Sequence, residues 1–266
     1  MTTGWTTAGH TTIWERLEDD SAVVGAVARV PTPTLVEVYG DVGLDFCFLD
    51  YEHASGRGPG DSAAMEDLVR AAEVVGIDPL VRLPEGHPPL VRKTLETGVR
   101  TLLIPRVETA AEVREAVAAA RFSYDDGVGD RGTAGTRANR WGHEYEDYHA
   151  REDAATTLGV MIETADAVAD LEAILAVPDL GFALVGHRDL THSLGYGEEI
   201  DHPEVAATVA EIRDACLDAG VPVGRVATDP EDARAAIDEG YRVILGGYEF
   251  HAVRQVYGEW ATVTDE

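Results

Sequence analysis

The side chains able to move protons or hold charge fall at the ends of short apolar runs. The run FCFL is followed by Asp50-Tyr51-Glu52-His53, and Arg82 interrupts the apolar run PLVRL. TLLI leads into Pro105-Arg106, LGVMI ends at Glu163, and FALV is followed by Gly186-His187-Arg188-Asp189. Each group taken alone has a plain structural reading: a strand-end Asp is a common helix N-cap, and Glu163 before Thr164 suits a turn. Arg82 is the exception, because a guanidinium inside an apolar strand needs an anionic partner. Together the groups form a chemical set. Glu163 and Asp189 could hold a hard divalent cation. Arg82 could hold a carboxylate or an enolate oxygen. His53, with an acidic neighbour such as Asp50, could transfer a proton.

Such a set must be carried by elements that end close together. Eight apolar runs read as strands: 24–30, 45–49, 79–83, 101–105, 158–162, 182–185, 222–226 and 242–245. They lack polar alternation, as expected of strands covered on both faces. Amphipathic stretches at 62–75, 110–121, 204–219 and 230–239 lie between them, with Gly76, Gly98, Gly220 and Gly240 placed to stop helices. This alternation predicts a single (β/α)8 barrel over residues 1–266, with a short N-terminal extension of about 20 residues. An open doubly wound sheet is the alternative, but no G-x-G-x-x-G follows the early strands. The longest irregular stretch, 123–153, reads as a functional or mobile loop.

The composition excludes several partners. The 266 residues carry 49 acidic against 21 Lys and Arg, a net charge of −28. That charge argues against nucleic acid and anionic membrane. It fits adaptation to high salt, where a carboxylate-rich surface is screened. No apolar run approaches the ~18–20 residues of a membrane span, and the first residues lack a basic and apolar leader. A cytoplasmic location is expected. Cys47 and Cys216 lie in apolar and amphipathic segments and are expected to be buried, reduced thiols. Lys93 is the only lysine, and it falls in a helical stretch rather than at a strand end. Schiff-base catalysis needs a lysine at the site, so the sequence argues against it.

The segment GLDFCFLDYEHA at 43–54 resembles the GFDxxxxDxEH stretch of the HpcH/HpaI aldolases. The likeness continues in order through VRLPEGHPPLVRKTLETGVRTLLIPRVETAAEVREAVAAAR, RANRWG, VMIET, VGHRDLTHSLGY and His202-Pro203. The resemblance implies a class II, pyruvate-dependent aldolase on a TIM barrel, using Mg²⁺, Mn²⁺ or Co²⁺. It also implies a homo-oligomer, trimer or hexamer, with C-terminal helices exchanged between subunits. By position, Glu163 and Asp189 become the metal ligands and Arg82 the residue that holds pyruvate and its enolate oxygen. His53 becomes part of the proton-transfer apparatus, oriented by Asp50 or by Glu96, where the family usually shows Asp.

Gly186, His187 and Arg188 fall at the expected substrate site. Two departures from the family pattern lie there: Met161 stands where Gln is common, and Gly186-His187-Arg188-Asp189 where Gly-Pro-Ala-Asp is common. Arg188 is expected to turn from the metal and grip a distal carboxylate, with His187 on the same side. The implied reaction is reversible cleavage of a 2-keto-3-deoxy sugar acid, or of a 4-hydroxy-2-oxo acid, to a small keto-acid and an aldehyde. The alternatives are a CoA-thioester lyase of the citrate-lyase or malyl-CoA type and a non-catalytic paralogue that binds metal and keto-acid.

Overall fold

The computed structural model describes residues 12–53, 58, 60–261 and 263. The chain alternates strands and helices, and the strands are β1 (Val23–Ala28), β2 (Phe46–Asp50), β3 (Asp78–Arg82), β4 (Thr101–Ile104), β5 (Thr157–Ile162), β6 (Leu180–Val185), β7 (Val223–Val226) and β8 (Val243–Tyr248). They close in the order β1-β8-β7-β6-β5-β4-β3-β2, and every pairing is parallel. This is the (β/α)8 barrel; the open sheet is excluded by the β1–β8 pairing.

Side chains alternate along a strand, so one set fills the barrel and the other packs against the helices. The interior set includes Val23, Val27, Phe46, Phe48, Leu80, Leu103, Met161, Phe182, Leu184, Val243 and Leu245. The Phe182 ring needs the space left by Gly159, where an added Cβ would overlap its edge atoms at 2.5 Å. The outer set joins the helices in a second cluster that contains Cys47 and Cys216. Both thiols are free and buried, as expected, and burial pushes Cys216 up to about 12.

The N-terminal segment does more than precede the barrel. Residues 1–11 lie outside the described residues, but Ile13–Glu18 is a helix opened by a Thr12–Glu15 capping box. Ile13 and Leu17 are buried in the interior cluster, closing it at the strands' N-terminal end. The Ile13 amide donates to Asp78 Oδ2 at 2.6 Å, and Arg16 pairs with Asp45 at 2.6 Å.

The stretch 123–153 differs from the expected loop. It holds a hairpin (Ser123–Tyr124 with Gly127–Val128), a tight turn at Arg137–Gly142 and the start of the helix Tyr148–Ala155. It follows a helix and precedes β5, so topology places it at the N-terminal face, away from the strand ends that carry chemistry. Ion pairs order it: the buried pair of Arg131 with Glu152 at 3.1 Å and the partly buried pair of Arg137 with Glu73 at 2.6 Å. Hollows of about 480 and 540 Å³ lie on that same face, both bordered by Trp14. Arg70, Arg100, Arg137, Arg140 and Arg151 line the first of them. Arg70, Arg137 and Arg140 each pair with a carboxylate. Arg100 and Arg151 are likewise paired.

Candidate active site

At the opposite end, the interior set changes from apolar to charged. On β2 the same face runs Phe46, Phe48, Asp50; on β3 it runs Leu80, Arg82; on β5 it runs Gly159, Met161 and then Glu163 just past the strand end. Strand register places Asp50 directly opposite Arg82. The Asp50 carboxylate, fully buried, accepts from Arg82 Nε at 3.0 Å and Nη2 at 2.8 Å. Burial alone would raise the Asp50 pKa, but Arg82's hydrogen bonds and charge, with Arg29, hold it below the usual carboxylate value. The same pair keeps Arg82 charged against its own burial. Arg82 also lies over the Phe48 ring, 5.5 Å from its centroid.

Three further residues complete this cluster. Arg29, at the end of β1, places Nε 3.2 Å from Asp50 Oδ2 and its guanidinium 4.9 Å from the centroid of Tyr248. Glu52 Oε2 lies 2.9 Å from Arg82 Nη1. Met161 Sδ lies 3.5 Å from the same nitrogen. Sequence reasoning gave Arg29 and Glu52 no role. A guanidinium just past β1, in AVARV, was the available signal for Arg29.

Glu163 is 1% exposed. Its Oε1 accepts from the Arg106 amide at 2.7 Å, while its buried Oε2 has no hydrogen-bond partner. Burial pushes its pKa up to about 7; the Arg106 hydrogen bond opposes this and the nearby Glu52 and Asp189 carboxylates add to it. Gly186 is required beside it. A Cβ there would collide with Glu163 Oε2 and lie 2.6 Å from the Glu163 Cβ and 3.1 Å from Met161 Cε. Asp189 sits in the first turn of the helix His187–Ser193, with its side chain exposed. The two expected ligands are therefore on neighbouring strand ends and within electrostatic reach. Among the described residues, no three His, Cys, Asp or Glu side chains converge as a complete metal cage.

Other expected site residues are placed differently. His53 is about half exposed, with Nε2 3.6 Å from Glu52 Oε2. Asp50 accepts from the His53 backbone amide at 3.2 Å, not from its ring, because both carboxylate oxygens are turned to Arg82. Asp50 thus orients Arg82, and Glu52 is the carboxylate beside the imidazole. Glu96 ends the helix Pro88–Glu96, on the return toward the N-terminal face, and pairs with Lys93 at 3.2 Å. It does not face His53 within one subunit. Lys93 is on that same helix, far from the strand-end chemistry. His187 Nε2 lies 3.1 Å from the Ile200 carbonyl, so its ring is tied to the following loop. Arg188 is exposed and has no ion-pair partner among the described residues.

A closed parallel barrel with carboxylates and a buried arginine at its C-terminal mouth has the layout of a barrel enzyme. The chain belongs to the HpcH/HpaI aldolase/citrate lyase family, whose profile matches residues 28–255. It is 33% identical over 228 residues to a hydroxypyruvate/pyruvate aldolase of Cupriavidus necator, covering 86% of this chain and 82% of that one. It is 30% identical over 237 residues to a 2-keto-3-deoxy-L-rhamnonate aldolase of Escherichia coli, covering 88% and 86%. The crystal structure of an HpcH/HpaI aldolase/citrate lyase family protein from Burkholderia cenocepacia superposes with a TM-score of 0.85 at 33% identity, covering 94% and 98%.

Proposed function

We propose that the chain is a carbon–carbon lyase of the class II pyruvate aldolase type. It reversibly cleaves a 2-keto-3-deoxy sugar acid or another 4-hydroxy-2-oxo acid to pyruvate, or a related keto-acid, and an aldehyde. The observation that carries this reading is the buried Glu163 carboxylate, one oxygen unpartnered, beside the fixed guanidinium of Arg82. A buried carboxylate without a partner is costly, and a cation relieves that cost. Glu163 and Asp189 are the residues that would hold a divalent metal ion: Mg²⁺, Mn²⁺ or Co²⁺. When bound, the ion supplies Lewis-acid polarisation and charge neutralisation at the keto oxygen.

The protein's own residues do the rest. In cleavage the C3–C4 bond breaks as the C4 hydroxyl loses its proton, and the electron pair moves to the C2 oxygen as an enolate. Arg82, held by Asp50 through Nε and Nη2 and beside Glu52 through Nη1, presents its positive charge to that developing oxyanion. Asp50 and Arg29 keep the guanidinium from turning. His53, at the mouth and beside Glu52, is positioned to take the hydroxyl proton and to return one toward C3. Released pyruvate and aldehyde from a 4-hydroxy-2-oxo acid, detected together, test this reading. A CoA-thioester lyase would instead require acetyl-CoA, and a non-catalytic paralogue would bind keto-acid without turnover.

The subunit is proposed to work as a homo-oligomer, trimer or hexamer. The C-terminal helix Glu249–Ala261 starts from the barrel, where Glu249 accepts the Arg29 and Val30 amides at 2.8 Å. Beyond that anchor, Val253, Val256, Tyr257 and Trp260 are all exposed. Exchange of this helix onto a second subunit would cover them. Sedimentation of the full chain and of a chain ending at Tyr248 is the check: the shortened chain is expected to be monomeric.

A further inference from the structure

Two arginines bracket Glu163, and their side chains take no part in the contacts that hold it. Arg106 follows β4 and Arg188 follows β6, while β5, which leads to Glu163, runs between them. Ile104 pairs with Val160, and Ile162 with Val185. Arg106 therefore stands level with Ile162, and Arg188 lies just beyond Val185 on the other side. Both side chains are exposed, and neither has an ion-pair partner among the described residues. Arg114, Arg234 and Arg254 are likewise exposed without an ion pair among the described residues, so what sets Arg106 and Arg188 apart is their place on either side of Glu163.

Their placement is tied to the centre itself. Arg106 is held at φ 53°, a left-handed conformation that a side chain ordinarily avoids. The hydrogen bond that its backbone amide donates to Glu163 Oε1, at 2.7 Å, fixes it there. Arg188 is two residues past Gly186, whose backbone abuts the Glu163 side chain. Arg82, 7% exposed, is the group assigned above to the keto-acid end. A pair of free guanidinium groups at the rim is suited to a planar or tetrahedral oxyanion farther along the substrate.

We propose that Arg106 and Arg188 hold a terminal oxyanion, carboxylate or phosphate, at the substrate end remote from the keto-acid. The aldehyde partner is then itself an anion. The assignment rests on the aldolase reading and adds the acceptor class to it.

The test is aldol addition of pyruvate, at fixed salt with Mn²⁺, to matched acceptors: glycolaldehyde against glyoxylate, and glyceraldehyde against glyceraldehyde 3-phosphate. The wild-type protein is expected to favour the charged member of at least one pair. Arg188→Gln and Arg106→Gln should each lower the charged-to-neutral ratio of kcat/KM roughly 10- to 100-fold, the usual worth of hydrogen bonds to a charged group, mainly through KM. Arg106→Gly, which suits the positive φ, should show the same loss and so separates the side chain from backbone strain. A loss seen only with glyoxylate assigns a carboxylate, and one seen only with the phosphate assigns a phosphate. No preference in the wild type, or ratios unchanged in the variants, overturns the proposal. Exchange of the pyruvate methyl protons with solvent, measured without acceptor, separates the two readings. Exchange with no charge preference overturns the acceptor class alone, whereas neither exchange nor turnover overturns the aldolase reading and this inference with it.

Discussion

Asp50 holds Arg82 with both carboxylate oxygens, at 3.0 and 2.8 Å, from the position directly opposite it on the neighbouring strand. The guanidinium is thereby fixed before any substrate arrives, which is what a group that stabilises developing charge requires. Replacing Asp50 by Ala leaves a buried cation without its main partner. Stability is expected to fall by about 3–5 kcal/mol, with loss of activity, as read by urea unfolding. A variant as stable as the wild type would show that the pair does not organise the barrel mouth.

His53 is about half exposed and has Glu52 at 3.6 Å. His53→Ala is expected to lower kcat by roughly 10²–10⁴-fold, the typical contribution of a positioned acid–base group. Solvent exchange of the pyruvate methyl protons should slow in parallel. Exchange at the wild-type rate would make His53 a bystander.

Glu163 titrates near pH 7 because its burial favours the neutral form. With the folded value above the ordinary carboxylate value, its contribution to stability in metal-free protein is full at acid pH and declines as pH rises through 7. A metal ligand must be deprotonated, so cation affinity should move the other way and weaken as pH falls below 7. Calorimetric titration with Mn²⁺ at pH 6 and pH 8 should show the tighter binding at pH 8. Glu163→Gln should abolish binding and flatten this part of the metal-free stability profile. Equal affinity at both pH values would remove Glu163 from the metal site.

The net charge of −28 acts over the whole subunit at low salt, where the Debye length is ~30 Å at 0.01 M. The melting temperature is expected to rise steeply up to molar KCl. A Tm unchanged between roughly 0.1 M and 2 M, a range across which screening falls from about 10 Å to under 3 Å, would remove the high-salt reading.

The barrel was legible because strands buried on both faces are apolar runs, and the second to sixth of them carry or run into conspicuous polar residues. Asp50, Arg82 and Glu163 could be picked out for that reason. Their partnerships could not. Which carboxylate orients Arg82 depends on the β2–β3 register, and sequence reasoning assigned Asp50 to His53 instead. The unpartnered oxygen of Glu163 depends on how close Gly186 and Arg106 come, which spacing along the chain does not encode. Residues 123–153 looked like a functional loop because they lack periodicity; they are ordered by ion pairs between residues up to 64 positions apart. The plug helix Ile13–Glu18 was readable in principle from Thr12, Glu15 and the Ile13–Leu17 spacing, but six residues give little periodicity to detect.

We propose that Glu163 supports metal-assisted cleavage. Its direct measurement is the rate of pyruvate release from a 4-hydroxy-2-oxo acid by the full-length protein, before chelation, after exhaustive chelation, and after Mn²⁺ is returned. Chelation is expected to abolish release from the wild type and Mn²⁺ to restore it, while Glu163→Ala, folded by circular dichroism, stays inactive with or without the metal. Undiminished release after chelation, or full activity in Glu163→Ala, would contradict it.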